Sequence, residues 1–247
     1  MPRTDKTVKR LFIPSEGNVF TFADWSQIEP RLTAYFMAKQ GNPELAEFIR
    51  DAGDAYMATA VGVYHRPIEN ITKEERQTCK TVFLSLLYGA GTRKLASSLG
   101  VPVSEAKRIR AEFYDAWPAV PELLSGILAT YRKRGYIKTP WGRRLHPHSD
   151  HAAINHLVQG SAADLMKQAL VSAHVALAEG EFATKLVATV HDELIFDGPP
   201  EERRGLESSV IRPSMTDERI NEVVPIVVDI EWSDTNWAEK RPLEVAA

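Results

Sequence analysis

Residues 186–196 read LVATVHDELIF, two β-rich runs at 186–190 and 194–196 separated by His191, Asp192 and Glu193. β-branched and aromatic residues on either side of a short polar stretch predict a β-hairpin with those polar residues at or near its turn. A lone hairpin is marginal in water and needs further strands. Working outward, one appears at 19–23, where the apolar run VFTFA leads to Asp24 and then to Ile28, Leu32, Tyr35 and Phe36 at helical spacing. That reads as strand, aspartate, helix. Residues 224–230 supply a last strand after a weaker helical stretch that Pro213 breaks.

Between these ends nearly everything from 54 to 135 is helical in pattern, punctuated by Pro67, Gly100, Pro102, Pro118 and Pro121. Thr72 with Glu75 three residues later predicts a capping box ahead of the apolar run 82–88, and Gly89 and Gly91 predict the end of that helix. Residues 136–145 carry the turn chemistry of a hairpin in Pro140, Trp141 and Gly142, and a helix follows from about 151 to 177. The expected fold class is α+β: a small antiparallel sheet assembled from distant segments, with a large helical insertion.

At 247 residues, with 44% apolar and 26% charged residues, the composition excludes disorder, collagen and a membrane bundle. No segment reaches about 18 consecutive apolar residues, and MPRTDKTVKR lacks the apolar stretch of a signal peptide, so a soluble, cytoplasmic protein with no membrane partner is expected. A single cysteine, Cys79, excludes an internal disulfide and a Cys-based zinc site. The net charge of −3 conceals an asymmetry: residues 66–148 hold 15 Lys and Arg against seven Asp and Glu, whereas residues 192–247 hold six against 14. A basic middle is what a local polyanion surface would look like, although solvated helix faces of unequal sign give the same count.

Asp24 and Asp192 each stand where an apolar strand ends, 168 residues apart. Two such carboxylates on neighbouring strands would make an oxygen-rich site for Mg²⁺, and a pair of ions about 4 Å apart can activate an attacking oxygen and stabilise a leaving one. Taken singly, each also fits an ordinary turn or cap residue. Arg76, Lys80, Leu84 and Tyr88 recur every four residues and share one helix face, two cations near the start and a ring near the end, a face able to hold a triphosphate and stack on a base. Asn155 and Gln159 share another face, where amides can reach minor-groove acceptors. Four histidines, His146, His148, His151 and His156, fall within 11 residues, but no cysteine is near to complete a zinc geometry.

DWSQIEPR at 24–31, RQTCKTVFLSLLYG at 76–89 and VHDEL at 190–194 resemble, in order and separation, the three polymerase motifs of family A DNA polymerases, the bacterial DNA polymerase I group. TPWGRR at 139–144, NHLVQGSAADL at 155–165 and VPIVVDIEWSDTNW at 224–237 fit as well, so the resemblance runs from about Lys9 to Trp237. It implies a right-hand polymerase fold without thumb or exonuclease. Residues 1–50 would begin the palm, 51–135 form the helical fingers, and 136–247 supply a hairpin, a helix and the rest of the palm sheet.

The resemblance implies that Asp24 and Asp192 bind two Mg²⁺ ions, for which Mn²⁺ can substitute, with Glu193 as acidic neighbour. Lys80 and Arg76 would hold the incoming dNTP, Tyr88 would lie beside the templating position, and Glu29 would close the space at the sugar 2′ position. Gln27, Arg31, Asn155, Gln159 and His191 match residues at the primer terminus or nascent pair, and Arg143 and Arg144 would contact primer-template DNA. Where the family usually has Asn-Phe-Gly this chain has Phe83, Leu84 and Ser85, so Leu84 replaces the ring against the sugar, which bears on affinity and sugar selectivity there.

The expected function is template-directed DNA synthesis, as fragment or subunit, with a separate polypeptide supplying the thumb or exonuclease. Three rivals stand beside it. A non-catalytic DNA-binding remnant, or accessory subunit that needs a thumb-bearing partner, would keep the fold. A two-metal nuclease would use the aspartates without needing Arg76 and Lys80. A single-subunit RNA polymerase is opposed by Glu29, whose carboxylate would crowd a ribose hydroxyl.

Overall fold

The computed structural model describes residues 6–243. Strand β1 (Val19–Trp25) precedes helices α1 (Ile28–Lys39), α2 (Glu44–Ala52), α3 (Ala55–Tyr64), α4 (Lys73–Leu87), α5 (Thr92–Leu99), α6 (Val103–Ala116) and α7 (Ala119–Arg134). A short hairpin, β2 (Ile137–Lys138) and β3 (Arg144–Leu145), leads into the long helix α8 (Asp150–Glu179). After it come β4 (Lys185–Val190), β5 (Glu193–Gly198), β6 (Val228–Ser233) and β7 (Arg241–Pro242). The fold is α+β with an antiparallel sheet, as the sequence implies. Two compact units divide the described chain: residues 6–26, 163–217 and 226–243 form one, and residues 27–162 with 218–225 form the other.

The first unit holds the sheet, ordered β4-β5-β1-β6-β7. Strand β1 lies at its centre, which is why VFTFA reads as a continuous apolar run rather than an alternation: both of its faces are covered. Residues directly opposed in an antiparallel pair point to the same face. Phe20, Phe22 and Asp24 oppose Asp197, Ile195 and Glu193 in β5, and Ser233, Glu231 and Asp229 in β6. One face therefore passes from a hydrophobic cluster of Phe20, Phe22, Ile195 and Trp237 to a group of carboxylates. The other face carries Thr21, Ala23, Trp25, Leu194 and Phe196, all buried, and the Trp25 indole N–H donates to the Met215 carbonyl at 2.7 Å.

One local expectation holds in finer detail and two shift. The hairpin turn contains only His191 and Asp192; Glu193 is the first residue of β5, paired with Val190 and Asp24. The last strand starts at Val228 rather than 224, because Val224 still bonds back to Ile220 and the Pro225 carbonyl faces a side chain of α1. Pro213 does not break its helix: helical structure continues from 203 to 214, with a π segment at Leu206–Ile211 in which the Arg212 N–H reaches back to Glu207. That wider turn moves the preceding carbonyl away from the proline ring, which would clash with it in a regular α-helix.

The second unit is mostly helical and carries the short β2–β3 hairpin. The side chain of Asp54 caps α3 by accepting from Tyr56 and Met57, and α3 packs against α2, α4 and α6. Helix α4 opens with the expected capping box between Thr72 and Glu75. It ends ahead of Gly89, whose φ of 71° favours glycine and where a Cβ would meet the His151 ring at 2.9 Å. Edge-to-face contacts join Tyr56 to Phe83 and Phe83 to Phe113 through the interior. Cys79 is enclosed there, and burial pushes its thiol up to about 12. No helix among the described residues is long and apolar enough to cross a membrane.

Candidate active site

Asp24 is the penultimate residue of β1, and its Oδ1 is buried without a hydrogen-bond partner. The next backbone N–H, of Trp25, donates to the Asp192 carbonyl at 3.4 Å, which seats the β4–β5 turn beside the end of β1. His191 opens that turn with φ at 59°, a conformation disfavoured for a residue with a Cβ, and such strain concentrates at functional sites. Glu193 is 8% exposed and is held by the Lys240 ammonium. Burial first, then the neighbouring Asp192 and Glu193 charges, push the Asp24 carboxyl from its ordinary 3.8 up to about 7, with Lys240 opposing them.

An unpartnered carboxylate oxygen among other carboxylates is costly unless a cation neutralises it. The described residues contain no ready cage of three or more His, Cys, Asp or Glu ligands, and the four clustered histidines form none. Mg²⁺ does not require one: it is commonly bound by one or two carboxylates, with water and substrate phosphates completing its shell. Asp24 and Asp192 fit that donor set.

The shift on Asp24 has a measurable consequence without any cation. Between pH 4 and about 7 the folded chain binds a proton at Asp24 that the unfolded chain releases, so stability falls as pH rises through that window. Asp24→Asn is therefore expected to be more stable than the parent at pH 8 in EDTA, by about 1–2 kcal/mol once solvent screening is allowed for. The advantage should shrink towards nothing near pH 4. Equal urea midpoints for the two proteins at pH 8 would show that Asp24 is not under this strain.

In the second unit, Arg76 and Lys80 lie on α4, each 5.5 Å from the centre of the Tyr56 ring. Arg76 Nε also donates to Asp54 Oδ2 at 2.7 Å, which ties it to the cap of α3. Leu84 is half-buried further along, and Tyr88 is the C-cap. The Tyr88 hydroxyl is buried and lacks a hydrogen bond of good geometry, yet Glu29 and Gln159 bear on its ionisation. Burial, then Glu29, push it up, and Gln159 opposes. Three expected site residues from α1, α4 and α8 thus meet around one ring.

Other candidates have local duties. Gln27, at the N-terminus of α1 with φ at 56°, accepts the Ala55 N–H on Oε1 at 3.0 Å. Arg31, matched by its motif to the primer terminus or nascent pair, is 1% exposed and donates to the Pro225 and Gly53 carbonyls at 2.5 and 2.9 Å. It is enclosed as a strut. Arg143 donates to the Gly160 carbonyl at 2.7 Å, whereas Arg144 is exposed, with its guanidinium 4.9 Å from the Tyr136 ring centre. Asn155 Oδ1 is buried without a partner, and Gln159 and His191 are exposed.

The sequence model of DNA polymerase family A matches residues 2–239. The chain belongs to DNA polymerase family A. It is similar to the DNA polymerase I of Chloroflexus aurantiacus, 31% identical over 249 residues that cover 96% of this chain and 26% of that protein. It is similar also to the DNA polymerase I of Geobacillus stearothermophilus, 30% identical over 243 residues, 93% of this chain and 27% of the relative. Among solved structures it superposes on the POL domain of Pol1 from M. smegmatis in complex with DNA primer-template and dNTP. That match has a TM-score of 0.83 and 28% identity, and covers 96% of this chain and 44% of the other. The family A chain thus spans about a quarter of the length of the curated relatives it matches.

Sequence reading of this family A chain missed two charged neighbours of Asp24, Asp229 and Lys240, and Glu231, which faces Lys240. Asp229 and Glu231 were discoverable, since VDIEW alternates acid and apolar residues and so sends both acids to one face of a strand. Lys240 carried no such signal. A cavity of about 950 Å³ in the sheet unit is lined by Arg203, Arg204, Trp232 and Arg241 among others. Trp232 opposes Thr21, so its side chain points to the sheet face opposite Asp24, and the carboxylates do not open into that cavity.

Proposed function

We propose that this chain contributes the nucleotidyl-transfer site of a DNA-directed DNA polymerase. The observation that carries the reading is the buried, unpartnered oxygen of Asp24 beside Asp192 and Glu193, in a chain of this family. In the reaction the primer 3′ oxygen forms a bond to the α-phosphorus of a dNTP, the α–β phosphoanhydride bond breaks, pyrophosphate leaves, and the hydroxyl proton is released. Mg²⁺ held by Asp24 and Asp192, or Mn²⁺ in its place, would supply the Lewis acidity that this displacement needs at both oxygens.

The chain's own groups do the rest. Lys80, with Arg76, binds the triphosphate through charge-assisted contacts. Glu29, beside Tyr88, fills the space at the sugar 2′ position and disfavours ribonucleotides. Asn155, Gln159, Gln27 and His191 serve the primer terminus or nascent pair, and Arg143 and Arg144 meet backbone phosphates. The enclosed Arg31 supports the scaffold.

Primer extension tests this. The chain is incubated with a 5′-labelled primer-template, Mg²⁺ and either dNTPs or rNTPs, alone and with a polypeptide carrying the remaining parts of a family A polymerase domain. Template-dependent addition of dNMP, strongly preferred over rNMP, is the expected result. Shortening of the primer without nucleotide, or no extension in either arrangement, would overturn the reading. In single-encounter reactions with excess trap DNA, the isolated chain should add few nucleotides, because duplex grip scales with the number of neutralised phosphates.

A further inference from the structure

On the carboxylate face of the sheet, one cation sits among the acids. The Lys240 ammonium donates to the Glu193 carboxylate, lies 3.3 Å from Glu231 Oε2 and stands 4.3 Å from the centre of the Phe22 ring. Its side chain is only 20% exposed. Its backbone is fixed on both sides: Trp237 is packed in the core, Asn236 Oδ1 accepts the Ala238 N–H, and Arg241 pairs with Trp232. The ammonium is thus delivered to Glu193 by a braced segment rather than by a loose surface arm. Glu193 in turn is the residue opposite Asp24 in the sheet register and the neighbour of Asp192.

We propose that Lys240 is a built-in counter-ion of the acidic cluster: it holds Glu193 away from the metal position and sets how tightly the chain binds a divalent cation before nucleotide arrives. The proposal rests on the reading of Asp24 and Asp192 as metal ligands. Its physical basis is charge. A fixed positive charge beside the ligating carboxylates repels a dication and occupies a carboxylate that would otherwise join its shell. Weak binding of the ion in the empty chain would leave the site dependent on the substrate phosphates to complete the shell.

The test measures Mn²⁺ binding to the full chain directly, by EPR of free Mn²⁺, without DNA or nucleotide. Lys240→Gln should tighten binding by about tenfold, and Lys240→Arg, which keeps the charge, should remain near the parent. Combining Lys240→Gln with Glu193→Gln should return the affinity towards the parental value, since one charge of each sign is removed. Asp24→Ala separates the two layers of inference. If Asp24→Ala binds Mn²⁺ like the parent, the metal-site reading itself fails. If Asp24→Ala loses the site while Lys240→Gln, folded by its thermal melt, binds no more tightly than the parent, the counter-ion role fails alone. Lys240→Met, which keeps the packing against Phe22, is read if the Gln variant does not fold. Unfolding of both would overturn the proposal by making Lys240 a structural strut.

Discussion

Asp24→Ala and Asp192→Ala are each expected to abolish nucleotide addition while the sheet and most of the DNA affinity survive. Neither carboxylate supports the core. Asp24 carries a buried oxygen without a partner, and Asp192 lies in a two-residue turn rather than in a packed strand. On the proposed reading, each loss would remove the anchor for a cation that acts in the transition state, worth several kcal/mol and hence at least about a thousandfold in rate. Extension is measured in whichever arrangement of the parent chain is active, alone or reconstituted, with circular dichroism to show the fold retained. Near-parental extension by either folded variant would sink the two-metal assignment.

Lys80→Ala is expected to weaken nucleotide use by about 10-fold to 150-fold while leaving primer-template affinity close to the parent. A charge-assisted contact to phosphate contributes roughly 1.5–3 kcal/mol. Lys80 is a cleaner probe than Arg76, because Arg76 also braces the α3 cap through Asp54, so its removal would mix binding with local stability. Steady-state kcat and KM for dNTP, set beside DNA affinity from anisotropy, separate the two effects. Unchanged kinetic constants would show that this face of α4 does not carry the triphosphate.

Much of this was legible in the sequence because local rules and tertiary structure agree. The Thr72–Glu75 box starts α4, Gly89 stops it, and the LVATVHDELIF hairpin forms where its pattern says. The VFTFA run reads as a strand, and a strand forms there. What the sequence did not show is decided by long-range partners. No local signal tells that Arg31 will be enclosed between the Gly53 and Pro225 carbonyls, the latter 194 residues away. Pro213 looks like a helix breaker because the π segment ahead of it is invisible to residue preference. Lys240 reaches Glu193 only through the fold of the final segment.

The order of the sheet sets a timetable for synthesis. Strand β1 is made first, yet its two neighbours, β5 and β6, begin at 193 and 228, after all of α1 to α8. At ordinary elongation rates the ribosome takes roughly 10–40 s to reach them. In that interval residues 27–162 already contain nearly all of a helical body whose contacts are short in sequence, the kind that forms fastest. VFTFADW, an apolar stretch at the centre of the sheet, must wait for both of its partner strands through that period, leaving the ribosome well before the strands that shelter it.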